Sequence, residues 1–307
     1  MAAVNFADRL SERIRENDSR VVVGLDPNPG KFPAELKAAW EQATDAAARA
    51  LVLRDFCSSV IRASEGLACA FKPQIAFFEQ FGSAGIAVLE ELLRDNPDSI
   101  FIMDCKRGDI GSTVEAYARA YFELPGDPPA PMSCAAVTHN PYLGLDSVLP
   151  YFPYLAEDRG MFILCKTSNP SALDFQDRLV DDRSLYLIVA EQIELWGEEF
   201  IGECGFSSMG LVAGATHPYD GEAIRHAAPH ALFLVPGIGT QGGKVDDARA
   251  FTDKRGNGAV FNFSRSVIYP QLHGPHVEGL SGSEDFEALV RDAADFYRRA
   301  LNSALGF

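Results

Sequence analysis

The sequence contains no run of about 18 apolar residues, so it offers no membrane-spanning helix. Its six cysteines, at 57, 69, 105, 134, 165 and 204, include no Cys-x-x-Cys pair. Three of them, Cys105, Cys134 and Cys165, sit in or beside strand-like runs, where a reduced thiol behaves as a small buried hydrophobe. Positive charge is scarce: 27 Lys and Arg stand against 43 Asp and Glu, a net charge of −16. A phosphate-backbone binder needs a clustered basic surface, so nucleic acid is excluded as a partner. An anionic metabolite held by a few focused basic residues is not excluded. No Gly-x-Gly-x-x-Gly fingerprint follows the first apolar run, no His/Cys/carboxylate constellation has metal-ligand spacing, and no Ser-His-Asp arrangement is readable. His226 and His230 are four apart, but Pro229 breaks the helix that such a pair would need. His273 and His276 flank a Gly-Pro turn and read as surface residues. Repeats, low-complexity tracts and linkers are missing too. At the N-terminus Arg9, Arg13 and Arg15 alternate with Asp8, Glu12 and Glu16 while Phe6, Leu10 and Ile14 recur every fourth residue, which predicts an amphipathic helix rather than a signal peptide. A cytoplasmic protein of one domain, residues 1–307, is expected, with no membrane partner.

What is present is a regular alternation. Short apolar, β-branched or aromatic runs fall near 21–26, 68–73, 99–105, 135–139, 160–166, 208–214, 231–236 and 258–263. Helical periodicity fills segments between them, at 51–63, 86–93, 113–122 and 185–196. Eight strand-then-helix units imply a parallel sheet, and eight strands close a (β/α)8 barrel. A doubly wound open sheet competes, without a nucleotide fingerprint to support it. The Pro-rich stretch 124–131 reads as a loop. Residues 281–301 read as a closing helix, with Ser281 and Glu284 as a capping box and Phe286, Leu289, Val290 and Phe296 as its apolar face.

The third strand ends in the most informative residues of the chain. Asp104 and Lys106 are two apart, so on a strand both leave the same face. Asp109 lies just beyond, where a turn could bring it, or a partner chain's copy, back over the pair. Opposite charges held together on one buried face cost desolvation, and stability alone gives little reason for them. In a barrel the active site lies at the carboxyl ends of the strands. Those ends carry Asp26, Lys72, Asp104 with Lys106, Thr138-His139-Asn140-Pro141, Lys166-Thr167-Ser168-Asn169-Pro170, Thr216-His217 and Asn262-Phe263-Ser264-Arg265. Lys72, Asp104, Lys106 and Asp109 form an alternating array suited to proton exchange. The loops after strands seven and eight form the usual phosphate site of such a barrel. There Gly237, Gly239, Gly242 and Gly243 permit close backbone approach, Gln241 can donate a hydrogen bond, and Arg265 supplies a forked cation.

These residues resemble the orotidine 5′-phosphate decarboxylases, specifically a longer bacterial branch of that family. The match runs from Leu25-Asp26-Pro27 to Arg265. Its most specific part is Asp104-x-Lys106-x-x-Asp109-Ile110 with Thr113 following, joined by Lys72-Pro73, Thr138-x-Asn140-Pro141, Thr167-Ser168-Asn169-Pro170 and Pro236-Gly237-Ile238-Gly239. The resemblance implies decarboxylation of orotidine monophosphate to uridine monophosphate in pyrimidine synthesis, with no cofactor and no metal. It implies Lys106 as proton donor to C6, Asp104 beside the leaving carboxylate, and Lys72 holding Asp104 and the ribose. Asp26 would bind ribose, Ser168 the pyrimidine edge, and Gln241 with Arg265 the phosphate of this nucleoside monophosphate. Asp109, Ile110 and Thr113 would reach the partner's site in a homodimer. A lid over residues 239–257 is expected to close on the phosphate. Extra length relative to the minimal family pattern falls near 30–50, 121–134 and 170–185. Two other readings compete: a metal-dependent sugar-phosphate decarboxylase or aldolase on the same barrel, and a non-catalytic nucleotide-phosphate binder with a degenerate site, which predicts the loss of one member of the charged array although all four are present.

Overall fold

Eight parallel strands form the frame, in a computed structural model that describes residues 5–239, 242–274 and 285–307. They are β1 (Val21–Leu25), β2 (Ala70–Pro73), β3 (Ile102–Arg107), β4 (Ala136–His139), β5 (Gly160–Lys166), β6 (Ser207–Ala213), β7 (Ala231–Pro236) and β8 (Ala259–Phe263). All sequence neighbours except β2 and β3 pair along their length, and β1 pairs with β8. The last gap, between β2 and β3, is bridged at Phe71–Phe101 and Gln74–Asp104. The sheet therefore closes on itself, and the open-sheet alternative falls.

Helices follow the strands because the outward face of each strand is apolar and must be covered. They include α1 (Phe6–Glu16), α2 (Ala34–Gln42), α3 (Ala46–Ser64), α4 (Gly82–Asp95), α5 (Gly111–Tyr121), α6 (Leu185–Gly197), α7 (Pro218–Ala227) and α8 (Phe286–Leu305). Alternation along the strands divides the core in two. Val21, Val23, Phe71, Met103, Val137 and Ile163 pack against helices, whereas Val22, Ala70, Ile102, Ala136, Phe162, Val212, Leu234 and Val260 belong to a separate cluster inside the barrel. The N-terminal helix plugs the lower end of that inner cluster: Phe6, Ala7 and Leu10 are buried in it, and Phe6 meets Phe162 edge-on at 6.1 Å. Gly160 makes room for this plug, since a Cβ there would stand 2.2 Å from the Phe6 ring. One mouth is sealed by hydrocarbon, so chemistry is left to the other.

Three sequence expectations change in detail. The closing helix runs over Phe286–Leu305, not 281–301; Asp285 caps it by accepting from Glu287 N, while Ser281 and Glu284 lie outside the described residues. Its buried face is Val290, Ala294, Tyr297, Leu301 and Leu305, leaving Phe296 41% exposed, because a helix drifts off a strict four-residue repeat. The expected lid is too long. Residues Val245–Phe251 form a 3-10 helix against α7 and α8 with Ala248 and Phe251 fully buried, so they belong to the wall. The stretch 124–131 is irregular, as expected. All six cysteines are unpaired and five are buried.

Candidate active site

Strand alternation delivers the charged residues to the upper mouth. Ala70 and Ile102 point inward, so Lys72 and Asp104, two residues later, do as well; Ala136 and Thr138 repeat the pattern. Register then sets them side by side, with Gly24 opposite Lys72 and Gln74 bridged to Asp104. Lys72 Nζ donates to Asp104 Oδ2 at 2.7 Å, and Lys106 Nζ donates to Asp104 Oδ1. Sharing of a face by residues 104 and 106 is achieved with a slip. The β3–β4 register shifts between Met103 and Arg107, and Lys106 adopts a left-handed backbone, φ +47°, which is uncommon for a side chain of this kind. Its amide donates to Thr138 Oγ1 at 3.0 Å, and Thr138 Oγ1 donates onward to Asp104 Oδ1 at 3.0 Å.

The electrostatics follow from one carboxylate between two ammoniums. Burial would raise the Asp104 carboxyl, but Lys72 and Lys106 overcome it and hold the group far below the carboxylate range. Burial likewise works against the Lys72 ammonium, and Asp104 with Asp26 more than offsets it, so its pKa lies above that of an ordinary lysine. Both stay charged across the physiological range. Asp26 is pushed the other way. Burial raises its pKa despite Lys72 and a hydrogen bond from Ser264, and its Oδ1 is buried with no protein partner. An unsatisfied carboxylate oxygen at a cavity wall is an acceptor awaiting a donor. Asn262 Oδ1 is in the same condition.

These side chains line a cavity of about 360 Å³ whose wall includes Asp26, Lys72, Asp104, Lys106, Thr138, Ser168, Asn262, Ser264 and Arg265. Leu164, Val212, Leu234 and Pro236 give it an apolar floor suited to a flat ring. Across from the charged row, the turn after β7 has positive φ at Gly237, Gly239 and Gly242, which favours glycine at these places. Arg265 opens a short helix after β8 and has no carboxylate within ion-pair distance among the described residues. Such a guanidinium suits an anion.

Of the sequence candidates, Asp26, Lys72, Asp104, Lys106, Ser168 and Arg265 converge. Asp109, Ile110 and Thr113 do not line this cavity: Asp109 Oδ1 accepts from Ile110 N at 2.8 Å, Ile110 is 53% exposed, and Thr113 is exposed on the first turn of α5. Gln241 lies outside the described residues. Sequence reasoning set Thr138 and Asn262 at the mouth without giving either a role, and it passed over Gln74, whose inward position just past β2 was the available signal. It also passed over Gly24, where a Cβ would stand 1.9 Å from Ser264 Oγ and push it out of the wall.

The comparisons with known proteins agree with this geometry. The family model described as "Orotidine 5'-phosphate decarboxylase / HUMPS family" matches residues 19–271. A relative from Roseiflexus sp. (strain RS-1), named orotidine 5′-phosphate decarboxylase, is 42% identical over 98% of this chain and 99% of its own. One of the same name from Caldicellulosiruptor bescii is 36% identical over the same shares. Among solved structures, that of Leishmania donovani OMP decarboxylase is 32% identical with a TM-score of 0.76, covering 99% of this chain and 100% of the other. With a closed barrel, a lysine–aspartate–lysine row at its mouth and near-full-length relatives of one name, the chain belongs to the orotidine 5′-phosphate decarboxylase / HUMPS family.

Proposed function

We infer that this chain decarboxylates orotidine 5′-phosphate to uridine 5′-phosphate and carbon dioxide in pyrimidine synthesis, with Lys106 as the proton donor to C6. One observation carries the reading: a single buried carboxylate, Asp104, is gripped by two ammoniums at the wall of a ring-sized cavity. Loss of carbon dioxide from C6 leaves a carbanion that the ring cannot readily delocalise, so the protein's own field must stabilise it. Asp104 about 4 Å from the substrate carboxylate repels it by roughly 4 kcal/mol at an effective dielectric of 20. A slow reaction needs on the order of 20 kcal/mol of barrier reduction, so repulsion is a minor contributor. The Lys106 ammonium contributes more, because its attraction grows as charge localises at C6. As the C6–carboxylate bond breaks, its electron pair stays on C6 and takes a proton from Lys106 Nζ, and the neutral amine is reprotonated from solvent. Lys72 holds Asp104 charged and in place. Asp26, with its unpartnered oxygen, accepts from a ribose hydroxyl; Ser168 faces the pyrimidine edge; Arg265 takes the phosphate, joined by Gln241.

Asp109, Ile110 and Thr113 act in the partner's cavity of a homodimer, which accounts for their exposure outside this chain's own. The chain works as one domain in the cytoplasm; among the described residues no helix is long and apolar enough to cross a membrane. A metal-dependent sugar-phosphate chemistry would need a carboxylate where Lys72 stands, and a cation there repels magnesium.

Loss of ultraviolet absorbance on mixing the protein with orotidine 5′-phosphate, unchanged by a chelator, tests the reaction; no change in absorbance sinks it. Mixing inactive Lys106→Ala and Asp109→Ala chains tests the shared site. Random heterodimers, about half the total, would each hold one intact site, restoring about a quarter of wild-type activity. No recovery would return Asp109 to its own chain.

A further inference from the structure

Lys166, at the end of β5, is a charged residue that the chemistry above leaves unused. Its side chain is only 1% exposed, yet it does not touch the cavity. Its Nζ is bound to Asp177, lies 3.6 Å from Asp220 Oδ2, and faces the Tyr186 ring at 5.0 Å. Tyr186 Oη in turn donates to Asp220 Oδ1 at 3.1 Å. A buried ammonium is costly unless paired, and a packed apolar side chain would serve stability as well. The arrangement therefore calls for another purpose.

The partners come from two places. Asp220 opens α7, on the fixed wall, while Asp177 sits in the extra length near 170–185, between a 3-10 turn (Pro170–Asp174) and a small hairpin at 179–184. One residue before Asp177, Gln176 grips the substrate-facing loop twice. Its Oε1 accepts from Thr167 N and its Nε2 donates to Thr167 Oγ1, both at 2.8 Å. Thr167 Oγ1 then donates to Asn169 Oδ1 at 2.6 Å. On the opposite side Gly214 lets β6 lie flush under the same loop, for a Cβ there would stand 2.8 Å from Ser168 N. Thr167, Ser168 and Asn169 line the cavity, whereas Gln176 and Asp177 lie behind them.

We propose that the 170–185 segment is a bracket, bolted to the barrel by Lys166–Asp177 and to the loop by Gln176–Thr167, that sets the register of residues 167–169 against the pyrimidine edge. Lys166, Asp177 and Gln176 are positioning residues for base discrimination. The proposal rests on the reading of Ser168 as base-facing and extends it to a cluster remote from the substrate. Recognition of a base edge depends on hydrogen-bonding groups held within a few tenths of an ångström, so a loosened loop loses selectivity before it loses the nucleotide.

The test compares binding of UMP, CMP and ribose 5-phosphate to Gln176→Ala and Asp177→Ala enzymes, the first at a half-buried and the second at an exposed position. Each variant should lower the UMP-to-CMP affinity ratio by about 10-fold, the worth of one well-placed hydrogen bond. Affinity for ribose 5-phosphate should hold in both variants and the thermal midpoint in Gln176→Ala, whereas Asp177→Ala, which leaves the buried Lys166 ammonium with Asp220 alone, should also lower the midpoint. KM for orotidine 5′-phosphate should rise with kcat kept, and Asp177→Glu should restore the ratio. An unchanged ratio in both alanine variants overturns the bracket, as does a parallel fall in ribose 5-phosphate affinity. A wild-type enzyme that binds UMP and CMP equally removes the base-facing reading itself, and the proposal with it.

Discussion

Replacing Lys106 by alanine should separate catalysis from folding and binding. After the change Asp104 keeps Lys72 at 2.7 Å and Thr138 at 3.0 Å. The Lys106 side chain is 43% exposed, so water already screens its ion pair, and the stability loss should stay below about 1 kcal/mol. The reaction loses far more. An ammonium about 3.3 Å from a negative charge at C6 is worth roughly 5 kcal/mol at an effective dielectric of 20, or about four powers of ten in rate. Losing the proton donor adds roughly 10²- to 10⁴-fold. A fall in kcat of about 10⁶-fold follows, allowing for overlap between the two effects. Excess enzyme incubated with orotidine 5′-phosphate, followed by absorbance over days, can resolve such a rate, while UMP affinity, measured by titration, should change by less than about threefold. A kcat within about 100-fold of wild type would refute the proton-donor role. A loss of UMP binding that tracks the loss of rate would refute it too, since the lysine would then act on the ground state.

Arg265→Ala should raise KM by about 10- to 100-fold, the worth of a charge-assisted hydrogen bond to phosphate, with a smaller effect on kcat; steady-state kinetics showing an unchanged KM would remove the phosphate role. The Lys72–Asp104 pair should govern acid stability. Because the folded Asp104 pKa is depressed, its contribution is complete above the unfolded value of about 4 and is lost as pH falls through the lower folded value. Lys72→Met weakens that depression, so acid unfolding followed by circular dichroism should begin at a higher pH than in wild type; an identical midpoint would show the pair to be energetically idle. Gly24→Ala should cost about 1–3 kcal/mol and displace Ser264, because the new methyl would overlap its hydroxyl. Denaturant melts of that variant matching wild type would mean the wall can give way freely.

The barrel was legible because its periodicities are local. Strand β5 and strand β7 fall where the apolar runs lie, since a strand buried on both faces needs an unbroken apolar run. The apolar run at 99–105 starts three residues before strand β3 and stops two short of its end, because pairing with β4 past the slip at 103–107, rather than hydrophobicity, extends the strand to Arg107. The 3-10 helix at 245–251 reads as lid in the sequence because the Gly-rich stretch before it hides the buried Ala248 and Phe251.

By itself the sequence determined the order of elements, the alternation that turns residues 72, 104 and 138 inward, and the charges available at the mouth. Those follow from the two-residue repeat of a strand and from composition, which need no distant contact. Only the tertiary structure decided that Thr138 spans Asp104 and the Lys106 amide, that Gly24 yields its side-chain space to Ser264, and that Lys166 pairs backwards with Asp177 instead of facing substrate. Each depends on register between strands or on a loop folding back over the rim, and such long-range closeness has no signature in the spacing of residues along the chain.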